Sequence, residues 1–389
     1  MNVDAGISSR PDRKDPGQGA TGTHRTGSAV PAAADVAAAT ASRRPPARRH
    51  PARLPLPWVA GGVVFMLAAA TVAVLLGPAS IPPSQVVRAL LDRLPGVNVD
   101  HGLHGPLAAV VTEVRLPRVV LAAIVGAVLA TAGGAYQATF GNPLADPYLL
   151  GIAAGAGLGV TVVVTGRIAS GGGLAATVAA FAGAVASVLL VYALGVDDAG
   201  RTTASLILAG IAVAALCSAL QAFLLQRDDQ AVRDVYSWLL GRFNVAGWTQ
   251  VRLIVPFAAA SIGMIVGAGR RLDVLTLGDD EAASLGIDPN STRRRVIAAA
   301  TLGTAAAVAV SGLIGFVGII VPHAVRLFAG PSYRRILVLS AFGGAGFLCL
   351  ADLVARSILA PAEVPIGVVT ATIGAPTFLL IMRTRTRRG

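Results

Sequence analysis

Between residues 57 and 382 the chain returns again and again to apolar runs long enough to cross a bilayer. They fall at about 57–77, 117–138, 149–166, 172–195, 203–225, 251–268, 296–310, 312–329, 336–355 and 364–382. A hydrocarbon core of about 30 Å takes roughly 20 apolar residues per helical span. With 54% hydrophobic and 13% charged residues among 389, and a mean hydropathy of +0.69, the chain carries more apolar surface than a soluble core of its size could hide. The expectation is an all-α polytopic membrane protein with about ten transmembrane helices. The run at 296–310 is short and abuts the next, which leaves nine as the alternative.

The first 53 residues are different in kind. They hold Pro, Gly, Ser, Thr, Ala and arginine (Arg43, Arg44, Arg48, Arg49, Arg53) with almost no large apolar residue, so they cannot offset the entropy of ordering. Residues 1–53 therefore read as a disordered basic cytoplasmic tail and 54–389 as one transmembrane domain. The run from Trp58 to Gly77 is too long and too far from the N-terminus for a signal peptide, and reads as an uncleaved first span. Ten spans put both termini on one side. If that side is the cytoplasm, eighteen membrane-near arginines lie inside against ten outside, in keeping with the positive-inside rule.

Several function classes drop out. The formal charge of +12 suggests phosphate binding, but much of the excess arginine sits in the tail, the loops and the C-terminus, where it flanks spans, so no nucleic-acid partner is expected. Cys217 and Cys349 each stand alone in an apolar run and give neither a disulfide framework nor a zinc spacing. A phosphate-binding GxxxxGK[ST] loop needs a lysine, and the only one is Lys14, in the tail. His323 has no second histidine or acidic pair beside it, so no catalytic residue and no metal ligand is assigned. Asp352, Arg356 and Glu363 cluster toward one end of their spans rather than at the midplane, which disfavours an ion-coupled carrier. Gly151, Gly155 and Gly159 share one helix face, a spacing that lets backbones approach closely, and is read as packing within one bundle.

Two long signatures carry a resemblance. The first is Arg115-Leu116-Pro117-Arg118, Gly126, Gly133-Gly134, Gln137, and Asn142-Pro143-Leu144-Ala145-Asp146-Pro147 with Leu150-Gly151. The second runs from Val317-Gly318 through Val321-Pro322-His323 and Ala351-Asp352 to Arg356, then Glu363-Val364-Pro365-Ile366-Gly367 and Gly374-Ala375-Pro376. In this order they resemble the FecCD-type permeases, the membrane subunits of ABC importers for iron siderophores, haem and cobalamin, over about residues 57–382. The resemblance implies the type II importer architecture, a multi-pass protein of the inner or plasma membrane with cytoplasmic ends. It also implies a second permease subunit, two separate ATP-binding subunits and an external substrate-binding protein. The chain itself would bind no cofactor, ATP being held by its partner.

The same resemblance implies site residues. Arg115, Arg118 and Arg356, at outer ends of spans, match positions that receive glutamates of the binding protein, a role suited to the planar guanidinium fork. The segment at about 273–295 resembles the coupling segment, two short helices that rest on the ATPase, with Gly278, Glu281, Ala282, Leu285 and Gly286 as its contacts. There Gly278, Ala282 and Gly286, four apart, would offer a face for close approach. Gln137, Asn142, Pro143 and Leu144 are assigned to the translocation path or gate, with Pro143 and Pro147 breaking the helix, although a plain helix-ending turn explains the prolines equally well. The chain departs from the family in two places: Pro331-Ser332-Tyr333-Arg334-Arg335 replaces an acidic-His-Arg pattern, and the long basic tail, which would either lie on anionic lipid or have no role, is untypical. The expected cargo is an iron-siderophore complex, with cobalamin or haem as the alternative and an ATP-independent secondary carrier as the competing class.

Overall fold

The computed structural model describes residues 55–78, 81–92, 106–167, 173–196, 202–226, 228–243 and 247–386. The tail expected over 1–53 lies outside them. Among the described residues all regular structure is helical. Helix α1 is Leu56–Leu75 and α2 Pro83–Leu91. A turn at Pro106–Ala109 and a π-helical stretch at Val110–Arg115 lead without a break into α3, Leu116–Thr139. Then come α4 Ile152–Thr165, α5 Gly173–Leu194, α6 Thr203–Leu225, α7 Asp229–Leu239 and α8 Trp248–Gly267. The chain closes with α9 Gly269–Leu275, α10 Asp279–Ser284, α11 Pro289–Ser311, α12 Val317–Ala329, α13 Tyr333–Ser357 and α14 Ile366–Thr386.

Seven of these helices are long and apolar enough to cross a membrane, and α4, α12 and the Ile366–Leu380 part of α14 are shorter apolar stretches at the places where the remaining runs were expected. The short run at 296–310 is the end of a 23-residue helix. It starts back at Pro289 because Asp288 accepts hydrogen bonds from the Asn290 and Ser291 amides (3.0 and 3.3 Å) and Pro289 needs none. Helices α4 and α12, of 14 and 13 residues, reach only about 20 Å at 1.5 Å per residue. Each follows an irregular stretch, a 3-10 turn at Pro147–Leu150 and the non-helical residues 312–316.

Helix α3 is the axis: its most apolar stretch is 83% buried, against 17% for α1, whose leucines and valines point outward as expected at a lipid face. Since lipid is as apolar as leucine, helix association here rests on close packing and polar contacts rather than on burial from water. Glycines supply the approach. A Cβ on Gly344 of α13 would stand 2.2 Å from the Gly126 carbonyl oxygen of α3, and one on Gly133 would stand 2.0 Å from that of Gly318 in α12. The stripe on α4 is used within the chain, as read: Gly155 lies against Gly183 and Gly159 against Ala179, both on α5.

Candidate functional site

All three arginines expected at outer helix ends meet in one place, together with two carboxylates. Arg118, near the start of α3, donates from Nε and Nη2 to Asp352 Oδ1 at 3.0 and 2.8 Å, and from Nη1 and Nη2 to Glu363 at 2.8 and 3.1 Å. Arg356, one turn beyond Asp352 on α13, approaches the same carboxylate at 3.4 Å and donates to the Ala73 carbonyl of α1. Arg115 completes the group, its guanidinium and that of Arg356 both lying against Gly77, where a Cβ would come within about 3 Å of each. In the structure Arg115, Arg118 and Arg356 are buried, at 4%, 7% and 2% exposure, and Asp352 between them is fully buried. Desolvation explains the pairing, since a charge taken out of water persists only against an opposite charge or hydrogen-bond partners. Glu363 is the open member, its side chain 36% exposed, and with Arg118 and Arg242 it lines a small cavity of about 100 Å³.

Beside this cluster, three irregular segments lock together. Gly241 follows α7, Gly312 follows α11 and Gly367 opens α14. A Cβ on each would fall 2.5 Å from the Leu313 oxygen, 2.2 Å from the Trp238 oxygen and 2.4 Å from the Leu240 oxygen, respectively. The Arg242 amide donates to the Ser311 carbonyl at 2.8 Å, and the Ile366 amide to the Gly241 carbonyl at 3.2 Å. Tyr148, from the turn before α4, both accepts from the Ile314 amide and donates to its carbonyl, each at 3.1 Å. Irregular backbone among apolar helices is thus satisfied inside the protein.

At the other end of α13 stands the expected pair of short helices, α9 and α10. The four-residue repeat there works differently from the reading above. Gly278 and Gly286 take positive φ (+124° and +78°) and make the turns on either side of α10, while Ala282 is fully buried and packs within the chain. Flanking α10, Leu277 and Leu285 point outward, each 62% exposed, and Asp279, Asp280 and Glu281 of the helix are exposed between them. Asp279 holds Arg293 of α11 by two bonds of 2.7 Å, and that hydrogen bonding keeps its carboxyl below the ordinary aspartate range.

The residues assigned to a path divide. Gln137 is fully buried; its amide nitrogen donates to the Gly318 carbonyl at 3.2 Å and its oxygen accepts from Arg326 at 3.1 Å. Asn142 is exposed, and its side chain accepts from the Leu144 amide at 2.9 Å, forming a local turn with Pro143 and Leu144. Helix α3 ends ahead of Pro143, at Thr139, with Gly141 at φ +61°. Asp146 then caps the 3-10 turn by accepting from the Tyr148 amide at 2.8 Å, and burial pushes its carboxyl up to about 6.

Close-packed apolar helices, a buried ion cluster at one end of α13 and a polar helix pair at the other define a multi-pass membrane protein. The chain belongs to the FecCD transport family, whose model matches residues 64–384, and it is thereby a permease component of an ABC transporter. It is 41% identical over 276 residues to the cobalamin import system permease protein BtuC of Halobacterium salinarum, covering 71% of this chain and 74% of that one. It is 40% identical over 285 residues to the hemin transport system permease protein HmuU of Yersinia pestis, covering 71% and 84%. A solved inward-facing structure of an ABC transporter described as metal-chelate type superposes with a TM-score of 0.72 at 28% identity, covering 84% of this chain and 98% of that one.

Proposed function

We propose that the chain is the membrane-spanning subunit of an ATP-driven importer that passes an iron-siderophore complex inward from an external binding protein. The observation that carries this reading is the α10 segment, where exposed Leu277 and Leu285 flank a short helix that opens with three acidic side chains and lies outside the ten apolar helices. Exposed leucines with a charged surround suit a protein partner, and ATP-binding subunits are the partner proposed. The second permease subunit is a like chain, and both termini face the cytoplasm. At the opposite end, binding-protein carboxylates engage the Arg115, Arg118 and Arg356 cluster. Because Arg118 already holds Glu363, the incoming carboxylate takes over the place of that partly exposed side chain. Cargo then crosses between paired permeases as ATP binding and hydrolysis reshape them, with no chemistry on this chain.

A cobalamin cargo is the second reading, favoured by the 41% identity to a cobalamin permease. The test is reconstitution in lipid discs with the ATP-binding subunits and binding protein of the same transporter. Hydrolysis stimulated by a ferric siderophore with the binding protein supports the first reading, stimulation by cobalamin the second. An assembled transporter that hydrolyses ATP but answers to neither overturns both cargo readings, and a chain that recruits no ATP-binding subunit overturns the importer reading.

A further inference from the structure

The importer reading leaves one well-built polar network without a task. Asp273, on α9, reaches to the start of α13, where Oδ1 accepts from the Tyr333 amide at 2.5 Å and Oδ2 accepts from the Ser332 hydroxyl at 2.8 Å. Ser332, the residue at the capping position, makes no side-chain cap of its own, so α13 is capped by a different helix. The Tyr333 side chain then turns to α12: its hydroxyl lies 3.2 Å from Arg326 Nη2, and the Arg326 guanidinium sits over its ring at 5.1 Å. The same Nη2 donates to Gln137 Oε1 at 3.1 Å, and the Gln137 amide nitrogen donates to the Gly318 carbonyl at 3.2 Å.

These bonds run from α9 through α13 and α12 to the buried C-terminal turn of α3. They arrive where α3 and α12 are in backbone contact at Gly133 and Gly318. Gln137 has both ends of its amide committed to α12, so a shift of α12 along α3 must break or carry those bonds. Arg326 is the branch point: one guanidinium nitrogen serves both α13 and α3. A planar fork stacked on a ring holds that geometry, whereas a lysine ammonium would keep the charge and lose the stacking and the fixed direction.

We infer that Arg326 and Tyr333 are positioning residues of the transport cycle, linking movement of the α9–α10 pair to the α3–α12 seam; this rests on the importer reading, in which that pair meets the ATP-binding subunits. Contiguity alone does not establish coupling, so the test is functional. The assembled transporter, with ATP-binding subunits and binding protein, is placed in proteoliposomes as wild type, R326K, Y333F and the double variant. Cargo uptake, ATP hydrolysis and thermal stability are measured for each. Y333F removes one hydroxyl and leaves the backbone cap on Asp273 untouched.

Uptake per ATP hydrolysed is expected to fall on the order of tenfold in each single variant, with basal hydrolysis and melting temperature near wild type. The double variant is expected to be no worse than either, as for two links of one chain. Unchanged uptake per ATP in both single variants overturns the proposal. So does a parallel loss of hydrolysis, uptake and stability, which marks a purely structural role. A wild-type chain that supports no hydrolysis with its partners overturns the importer reading itself, and is told apart from the others because it needs no variant.

Discussion

Replacing Asp352 by asparagine keeps shape and volume while removing one charge from a cluster in which Arg115, Arg118 and Arg356 (+3) face Asp352 and Glu363 (−2). The group goes from +1 to +2. Asp352 touches two guanidiniums, Arg118 at 2.8 Å and Arg356 at 3.4 Å, and is fully buried. With charge centres about 4 Å apart and an effective dielectric of about 20, each attraction is worth about 4 kcal/mol. Relief of the carboxylate's own desolvation offsets a large part of the combined figure, and breaking a buried pair from one side generally costs about 3–5 kcal/mol. The expected destabilisation is therefore about 4 kcal/mol. Glu363→Gln is the internal control: its carboxylate also meets Arg118 at 2.8 Å, but the side chain is 36% exposed, so its loss should cost about 1 kcal/mol or less. Unfolding in mixed micelles, followed by tryptophan fluorescence, gives both values on one scale. Equal losses for D352N and E363Q, or none for D352N, would refute the reasoning that burial decides the strength of these pairs.

Gly344→Ala should destabilise by about 1–3 kcal/mol, since the added methyl meets the Gly126 carbonyl oxygen at 2.2 Å and the Ala130 methyl at 2.5 Å; a lowered melting temperature in detergent checks this, and an unchanged one counts against the close crossing. Tyr148→Phe strips both the donor and the acceptor that hold Ile314, leaving polar backbone unsatisfied at about 1–3 kcal/mol per group; faster amide exchange at Ile314 is the expected signature. The Asp146 carboxyl, raised to about 6, favours the protonated form in the fold. Its contribution to stability is therefore full below about pH 4, the unfolded range, and is lost as pH rises through about 6. D146N should flatten the stability profile between those values, and an identical profile in wild type and variant would contradict the assignment.

The ten apolar helices were legible because a bilayer demands unbroken apolar runs, and a run is a local property. Boundaries were less so: α11 begins at Pro289 although Arg293, Arg294 and Arg295 interrupt its apolar pattern, because Asp288 and Pro289 supply a start that hydropathy does not register. The glycine spacing of four had two outcomes. On α4 it marked a helix seam, whereas Gly278 and Gly286 turned out to be positive-φ turn residues around a buried Ala282. Spacing is common to both, and what separates them is whether the intervening residues form one long helix. The gathering of three arginines at one end was foreseen, but their engagement by Asp352 and Glu363 was not, since Arg118 and Asp352 lie 234 residues apart. Nor could Asp273 be foreseen as the cap of α13, 60 residues on, because local sequence gives Ser332 that task.

The junction of Gly241, Gly312 and Gly367 bears on how any motion of this protein can be recorded. Its three backbone segments lie close together and share hydrogen bonds, so the ends of α7, α11 and α14 are expected to travel as one piece. Spectroscopic labels flanking that junction would hold a constant separation throughout a working cycle. They would furnish a ruler fixed in the molecule, against which displacements of the more distant helices could be read.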